Sequence, residues 1–254
     1  MSLSTAAGDE LLRRLIIQEA SFLTTREKRM LQAAGVTARE LAAFSTADFS
    51  KIIPRVLKAR CSWKGKNAYE KAHTATCIIA RLSICYTFYD DADFPAMLRE
   101  MPDPPYVLFY RGNLGCLQQP CVSVVGTRRA TAGGRSSAAA FSREAAENGC
   151  TVVSGLAYGI DVAAHKGALQ AVRGATAALL ASGIDTITPA SHTPVARSIV
   201  ERGGCILSEY TPGTPAQAFR FIQRDRLIAA LSPATVVVQA PSGSGALLTA
   251  AFAL

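Results

Sequence analysis

The stretch CTVVSGLAYGIDVAAHKGAL at residues 150–169 decides the fold. Thr151–Val153 is a short β-favouring run, which predicts a buried strand. The strand runs into Ser154–Asp161, where glycine and small residues favour a tight turn. Asp161 is a suitable N-cap for the helix that follows. The order of strand, glycine turn and helix is typical of α/β proteins with parallel strands.

The same order recurs on both sides of this stretch. Further apolar runs predict strands at Val122–Val125, Ala175–Leu180, Ile206–Leu207 and Thr235–Val238. Helices are predicted between the strands, at Ser136–Asn148, after Pro194 and at Arg226–Leu231. Uninterrupted apolar strands joined by helices indicate a parallel sheet covered on both faces. We therefore predict an α/β domain over residues 80–254 with an extended Rossmann-like, doubly wound, mostly parallel sheet.

The beginning of the chain has a different character. Residues 1–75 predict a small helical module, because leucine and isoleucine recur at helical spacing and Thr24 offers a cap. The β-favouring runs Ile84–Tyr89 and Val107–Tyr110 follow this module and belong to the second domain. The chain ends within what reads as the opening of another helix, Gly245–Leu254, so we expect that the last element or elements are missing.

The charge balance favours an acidic partner. The 254 residues include 27 Lys and Arg against 19 Asp and Glu, a net charge of +8 at pH 7. Such a balance suits nucleic acid, although a basic chain need not bind anything anionic. The basic stretch Ala59–Lys71 contains the single tryptophan, Trp63. We interpret this stretch as a solvated basic face, with contact between Trp63 and a base as the alternative.

The sequence also bears on location and on metals. It has no basic-then-apolar leader and no apolar run near the roughly eighteen residues of a membrane span, so we predict a cytoplasmic protein without membrane contact. The seven cysteines form no CxxC pair and, with the three histidines, no zinc spacing. This usage indicates a reducing compartment and no metal site.

Small residues follow every predicted strand of the second domain. The turns are Gly126–Arg129, Ser154–Asp161, Ser182–Gly183, Ser208–Glu209 and Ser242–Gly245. Ligands of open parallel sheets bind at the carboxyl ends of the strands, where helix N-termini expose amide groups to oxyanions. A single such turn would be explained by the tight connections of the fold alone. Several turns together with Arg128, Arg224 and Arg226 favour phosphate binding.

Several kinds of chemistry are excluded by missing motifs. No GxGxxG follows the first parallel strand and no GxxxxGK[ST] occurs, which argues against a dinucleotide site and a P-loop ATPase. There is no nucleophile elbow. His165 could act as an acid or base, but a histidine on an inner helix face is more often hydrogen-bonded structure. We therefore predict no catalysis and no cofactor.

The chain resembles the DNA-processing protein A (DprA/Smf) family in a series of segments with the same order and spacing. These are Val122–Arg128, Ser154–Asp161, Ala164–His165, Gly183–Asp185, Leu207–Glu209, Arg224–Ala229 and Ser244–Ala250. The SGLAxGIDxxAH run is highly specific. The N-terminal module is similar, more weakly, to the family's SAM-like or helix-hairpin-helix module.

The resemblance implies a function. A member of this family would bind single-stranded DNA without base specificity, protect incoming strands and load the RecA recombinase in natural transformation. The resemblance also implies a homodimer. The resemblance and the turns together predict phosphate contacts by Gly126, Thr127, Arg128, Ser154, Gly155, Gly159, Arg224, Arg226, Ser244 and Gly245. Gly243–Leu247 would form the rim of the same pocket.

Three positions depart from the family pattern, and two other functions stay open. Asp225 stands where the family usually has Asn, Ile222 where it has Pro, and Gln239 where it has Glu. An aspartate beside a phosphate would weaken DNA binding unless Arg224 and Arg226 neutralise it. One alternative is a nucleotide hydrolase of the lysine-decarboxylase-like (LOG) type, although Ser242–Thr249 lacks the acid of its PGGxGTxxE run. The other alternative is a shortened remnant without function.

Overall fold

The structure, a computed structural model, describes residues 5–57, 62–241 and 244–252. Within these residues the chain forms eleven helices and seven strands. The helices are α1 (Thr5–Gln18), α2 (Thr25–Ala33), α3 (Ala38–Ala43), α4 (Thr46–Phe49), α5 (Gly65–Leu82), α6 (Ala96–Arg99), α7 (Ala132–Glu147), α8 (Ile160–Ala168), α9 (Thr193–Glu201), α10 (Ala218–Ala230) and α11 (Gly245–Phe252). The strands are β1 (Cys85–Phe88), β2 (Val107–Gly112), β3 (Cys121–Val125), β4 (Thr151–Ser154), β5 (Ala175–Leu179), β6 (Cys205–Ser208) and β7 (Thr235–Val237).

The strands form one sheet in the order β1-β2-β6-β5-β4-β3-β7. The five strands from β6 to β7 are parallel, whereas β1 and β2 pair antiparallel at one edge. The parallel strands are joined by helices, as the alternation of apolar runs and helical segments predicts. The predicted mostly parallel, Rossmann-like sheet is confirmed.

Helices cover both faces of this sheet, which explains why its central strands are apolar throughout. All four residues of β4 are buried. On one face, Leu227 and Ile228 of α10 pack with Val153 and Leu207. On the other face, α7 and α8 pack against Val124 and Val152, and the N-terminal helices share a core with β2, β5 and β6.

The N-terminal helices form a module with its own aromatic core. Thr24 begins α2 in a capping box with Glu27, as the predicted cap requires. Trp63 lies edge-on to Phe49, with ring centroids 5.1 Å apart, and its Nε1 donates to the carbonyl oxygen of Leu41 at 3.0 Å. Trp63 therefore packs against the module's core with its indole N–H already bound, which favours a structural role over contact with a base. Helix α5 continues to Leu82, across the boundary predicted between residues 75 and 80.

Two helices begin earlier than the sequence predicts. Helix α7 starts at Ala132, because Thr131 caps it by accepting a hydrogen bond from the Gly134 amide at 3.0 Å. Gly133 and Gly134 resemble a turn in the sequence but lie in the first turn of this helix. Helix α10 starts at Ala218 rather than at Arg226. Its N-terminus has no side-chain cap that would have marked this start in the sequence. In the described part of the chain, no helix combines the length and apolar character that crossing a membrane requires.

Candidate nucleic-acid interface

A cleft of about 400 Å³ opens at the carboxyl edge of the parallel strands. Its walls are the turn after β3, the segment that leads into α8, one face of α10 and the first turn of α11. Residues that line it are Val125–Arg129, Ala157, Asp161, Ala218, Phe221, Ile222, Arg224, Asp225, Ser244–Ala246 and Thr249. The turns that follow β3, β4 and β7 therefore converge, as the positions of the glycines predict.

The turn after β3 is held tightly from two sides. The Thr127 amide donates to the carbonyl oxygen of Gln239 at 2.7 Å, and the Ile160 amide donates to the carbonyl oxygen of Thr127 at 3.3 Å. A Cβ at Gly126 would lie 2.5 Å from the Ile160 side chain, so only glycine fits there. Because of these contacts, Arg128 and Arg129 lie in a rigidly held turn.

The side chain of Gln239 fixes the other end of this segment. Its Oε1 accepts hydrogen bonds from the amide of Thr131 at 3.0 Å and from the hydroxyl of Thr131 at 3.2 Å. Only the acceptor oxygen is used, so an amide at this position serves as well as the carboxylate usual in the family. Gln239 therefore positions Arg128 and Arg129 without adding negative charge to the cleft.

Arg128 and Arg129 are the exposed cations of the cleft wall. The Arg128 guanidinium carbon lies 4.6 Å from the centre of the Phe221 ring of α10, which is within the range of a cation–π contact. This contact orients the guanidinium across the mouth of the cleft and leaves its N–H groups available to an anion. Phe221 was not singled out in the sequence, because the early start of α10 was missed.

Arg224 has a different environment from the one its sequence motif suggests. Its side chain is 4% exposed. Nη1 donates to the carbonyl oxygens of Gly155, at 2.6 Å, and Leu179, and Nε donates to Asp225 Oδ1 at 2.9 Å. A guanidinium engaged in this way joins the ends of β4 and β5 to α10 and contributes positive potential from beneath the cleft. It is a poor candidate for direct contact with a phosphate.

The predicted residues of the turn after β4 are packed against other backbone segments. The Ser154 hydroxyl is buried and donates to the carbonyl oxygen of Val124 at 2.7 Å. A Cβ at Gly155 would lie 2.2 Å from Arg224 Nη1, and one at Gly159 would lie 2.1 Å from the Thr127 carbonyl oxygen. Gly159 also has φ +81°. These three residues allow the two turns to approach each other, and none of them lines the cleft.

The first turn of α11 closes the far side of the cleft. Ser244 and Gly245 both line it, as predicted. The Ser244 hydroxyl oxygen is buried and has no hydrogen-bond partner within the described residues. Such an orphaned hydroxyl at a helix N-terminus is suited to an oxyanion. Ser242 and Gly243 lie outside the described residues.

Two carboxylates oppose the positive charge of this cleft. Burial raises the pKa of Asp161 to about 6, with the Arg224 guanidinium acting in the opposite direction. Burial also raises the pKa of Asp225, although Arg224 again favours its ionised form. The predicted neutralisation of Asp225 by Arg224 has a geometric basis in their hydrogen bond. Arg226 takes no part in it.

Arg226 lies in another cleft, of about 480 Å³, between the helical module and the sheet. It pairs with Glu209 and also donates to the carbonyl oxygen of Asp103. Lys28 of α2 lies in the same cleft, where burial lowers its pKa to about 8 while Glu209 favours the charged form. The structure therefore does not bring Arg226 together with Arg128, and Arg226 instead joins α10 to the end of β6 and to the segment before β2.

His165 is fully buried in α8. The Thr176 hydroxyl donates to the Val152 carbonyl oxygen at 2.6 Å, so it must accept from His165 Nδ1, 2.7 Å away. His165 is thus neutral with its proton on Nδ1, and burial lowers its pKa to about 3. These contacts agree with the interpretation of His165 as hydrogen-bonded structure.

Comparison with known proteins places this architecture in a family. Residues 85–254 match the family model for DNA recombination-mediator protein A. The Smf protein of Escherichia coli strain K12 is 32% identical over 254 residues, which cover all of this chain and 62% of that protein. The DNA processing protein DprA of Streptococcus pneumoniae is 38% identical over 164 residues, or 65% of this chain and 57% of that protein.

Solved structures give the same relationship. The X-ray structure of DprA from Streptococcus pneumoniae superposes with a TM-score of 0.74 at 29% identity, covering all of this chain and 84% of that one. DNA processing protein A from Helicobacter pylori, whose single-stranded DNA binding mode has been described, superposes with a TM-score of 0.59 at 32% identity over 66% of this chain and 75% of that one. The chain spans 41% to 62% of the length of the curated relatives that it matches. Because the family model covers about two thirds of its residues and includes the cleft, the chain belongs to the DNA recombination-mediator protein A family.

Proposed function

We propose that the cleft binds the sugar-phosphate backbone of single-stranded DNA. The observation that carries this proposal is the position of the Arg128 guanidinium, which is held over Phe221 at the mouth of the cleft and faces the first turn of α11. The net charge of +8 and the single-stranded DNA binding mode described for the Helicobacter pylori relative support it.

The residues of the proposed site fall into two groups, those that contact the DNA and those that support the turns. Arg128, Arg129, the amide of Gly126 and the Ser244 hydroxyl contact phosphate oxygens, whereas the Thr127 amide is used within the protein by the Gln239 carbonyl oxygen. Arg224, Ser154, Gly155 and Gly159 hold the turns in place. This division revises the sequence prediction for both arginines. Nη1 and Nε of Arg224 are already bound by backbone carbonyl oxygens and by Asp225, and Arg226 lines the other cleft.

Phosphate contacts do not depend on base identity, so binding is independent of sequence. Phe221 and the exposed side chain of Ile222 lie on the face of α10 that lines the cleft and offer apolar area to unpaired bases. Bases are accessible to such side chains in a single strand and not in a duplex. The protein therefore prefers single strands.

At the level of the cell, the protein acts in the cytoplasm as a mediator of recombination. It protects single strands taken up in natural transformation and loads RecA on them, as a homodimer and without catalysing a reaction. Its membership of the DNA recombination-mediator protein A family supports this role. The test of RecA loading is the rate of strand exchange by RecA on protein-coated single strands, with and without this chain.

The direct test of the cleft is a titration of fluorescent oligothymidylate at two salt concentrations. Each phosphate contact contributes a slope of roughly −0.7 to the dependence of log affinity on log salt. Arg128→Ala is expected to weaken binding of every oligonucleotide by about fivefold to twentyfold and to reduce the slope by about 0.7. The matched control is Arg173→Ala, which removes an equal charge from an exposed loop before β5, at the opposite edge of the sheet. Equal effects of the two variants, or an affinity that is independent of salt, would contradict the proposal.

A further inference from the structure

Two cysteines from distant parts of the sequence, Cys116 and Cys205, are in contact at the amino-terminal end of β6. Cys116 lies in a 3₁₀ turn, Leu114–Gln118, that connects β2 to β3, and Cys205 is the first residue of β6. Their sulfur atoms are 3.5 Å apart. Both side chains are buried, with 5% of Cys116 and none of Cys205 exposed.

The backbone around this pair is firmly held. The Thr151 hydroxyl donates to the Cys116 carbonyl oxygen at 2.6 Å. The Asn113 amide donates to the carbonyl oxygen of Gly204 at 3.0 Å, which attaches the beginning of the turn to the start of β6. A disulfide has a sulfur–sulfur distance of about 2.05 Å, so the two sulfur atoms need to approach each other by only about 1.5 Å.

The pair is close to a route for small molecules. A cavity of about 590 Å³ runs beside the 3₁₀ turn and is lined by Leu114, Gly115 and Leu117, the neighbours of Cys116 in the chain. Hydrogen peroxide is similar in size to water and fits such a space. The cavity lies at the amino-terminal edge of β3, whereas the DNA cleft lies at the carboxyl edge of the parallel strands.

The two thiols differ in their access to an oxidant. Either of them can donate in the contact between the two sulfur atoms. Cys116 retains 5% exposure and its chain neighbours Gly115 and Leu117 line the cavity, whereas Cys205 has no exposed surface. The contact with Cys205 also lowers the pKa of Cys116, and the thiolate is the reactive form of cysteine. Cys116 is therefore the sulfur that attacks an oxidant, and Cys205 is the sulfur that resolves the product.

We infer that Cys116 and Cys205 form a reversible intramolecular disulfide when the protein meets hydrogen peroxide. The Cys116 thiolate attacks one peroxide oxygen, the O–O bond breaks and hydroxide leaves, giving a sulfenic acid on Cys116. The Cys205 sulfur then attacks the Cys116 sulfur, and the S–O bond breaks. The two thiol protons leave with the two oxygens as water. The sulfur atoms together lose two electrons, and peroxide gains them.

The crosslink ties the connection between β2 and β3 to the start of β6. It closes a long segment of the chain and so constrains the unfolded state, which raises the melting temperature, by about 5–10 °C. It lies on the edge of the sheet opposite the DNA cleft, so the affinity for oligothymidylate is expected to change less than about twofold. Formation of the disulfide is therefore independent of DNA binding and is measured separately from it.

The experiment starts from the Cys77→Ser/Cys85→Ser variant, because both of these thiols are exposed and would react first. The folded protein is treated with one equivalent of peroxide, unfolded in N-ethylmaleimide and digested without reductant. The expected result is a single linked pair of peptides that contains Cys116 and Cys205. Its mass is lower by two hydrogen atoms than that of the two peptides, and dithiothreitol separates it.

Single substitutions test the assignment. The linked pair is expected to persist in Cys121→Ser and to vanish in Cys116→Ser and Cys205→Ser. Complete alkylation of Cys116 and Cys205 after peroxide, or a crosslink from Cys116 to Cys121 instead, overturns the inference. The peptide map of the starting variant decides the question even if a serine variant fails to fold.

Discussion

Arg224 Nη1 donates a 2.6 Å hydrogen bond to the carbonyl oxygen of Gly155, and this contact exists only because residue 155 has no side chain. A Cβ there would lie 2.2 Å from Nη1 and 2.4 Å from the guanidinium carbon. The guanidinium fills the space that the glycine leaves and links the ends of two strands to α10. The glycine-rich turn after β4 and helix α10 are far apart in the sequence, and this contact joins them.

Gly155→Ala is expected to displace Arg224 and to lower the free energy of unfolding by about 2–4 kcal/mol, because a buried guanidinium loses its acceptors. Urea denaturation measures this change. The matched control is Gly133→Ala, whose Cβ would meet no atom within 4 Å in the first turn of α7. That variant is expected to be neutral or slightly stabilised, since alanine favours helix over glycine. Equal stability of the two variants would show that Arg224 has another arrangement available.

Arg226→Ala is expected to lower stability without weakening DNA binding. Its loss leaves the Glu209 carboxylate without its arginine partner in a cleft that the DNA-binding residues do not line. Because both side chains are only partly buried, the cost is expected to lie below that of a fully buried pair, at about 1–3 kcal/mol. The double variant Arg226→Met/Glu209→Gln is expected to recover part of this loss, since no charge is then left unpaired. Urea denaturation and oligothymidylate titration are measured on the same preparations. Loss of DNA affinity equal to that of Arg128→Ala would refute this assignment.

DNA affinity is expected to rise by about threefold to tenfold as the pH falls from 7.5 to 5.5. Burial raises the pKa of Asp161 to about 6, so this carboxyl takes up a proton in this interval and ceases to repel phosphate. Asp161→Asn removes this charge permanently, so the variant is expected to bind more tightly at pH 7.5 and to depend less on pH. Titrations of both proteins at matched ionic strength provide the comparison. An identical pH dependence of wild type and variant would exclude Asp161 as a contributor.

His165 is expected to make the fold sensitive to acid. Burial lowers its pKa to about 3 in the folded protein, against about 6.5 for an unperturbed histidine, so the unfolded chain binds a proton in this interval that the folded chain does not. Stability is therefore fully present above pH 6.5 and is lost as the pH falls, by about 1.4 kcal/mol at pH 5.5 from this group alone. The raised pKa of Asp161 acts in the opposite direction below about pH 6, so the effect of His165 has to be isolated by difference.

The comparison that isolates it is between wild type and His165→Asn, in which the side-chain amide can still donate to Thr176. The difference in unfolding free energy between the two proteins is expected to shrink as the pH is lowered from 7.5 to 5.5. A difference that stays constant over this range would mean that His165 is protonated in the folded protein. Chemical denaturation at each pH gives the values.

The sheet was predictable because its strands and turns are encoded locally. The β-branched run at Thr151–Val153 and the glycines that follow it specify a buried strand and a close turn wherever they occur. Gly159 illustrates this, since its φ of +81° and its contact with the Thr127 carbonyl both require glycine. The convergence of several turns follows from the parallel order of the strands.

The roles of the arginines were not predictable in the same way. Arg224 and Arg226 are two residues apart, which on an α-helix places them about 200° apart around the axis. Arg224 therefore points into the sheet and Arg226 toward the helical module, although the sequence motif presents them as equivalent. The orientation of α10 decides which of the two approaches the cleft, and that orientation depends on packing across the whole sheet.

Trp63 and Phe221 show the same limit for aromatic residues. Trp63 lies among basic residues in the sequence yet packs edge-on against Phe22 and Phe49 of the module. Phe221 carries no motif, yet its ring lies beside Arg128. Spacing on α10 could have revealed Phe221, since Ala218, Phe221, Ile222 and Asp225 recur on one helical face. That pattern becomes visible only once the true start of the helix is known.

Helix α10 is a wall common to two compartments. Ala218, Phe221, Ile222 and Asp225 line the cleft with the exposed arginines, whereas Phe219, Arg220, Gln223 and Arg226 line the space beside the helical module. A rigid helix cannot turn one face without turning the other. A change in the packing of the helical module that rotated α10 would therefore move Phe221 away from Arg128. The distance between these two side chains is thus coupled to the position of the N-terminal helices.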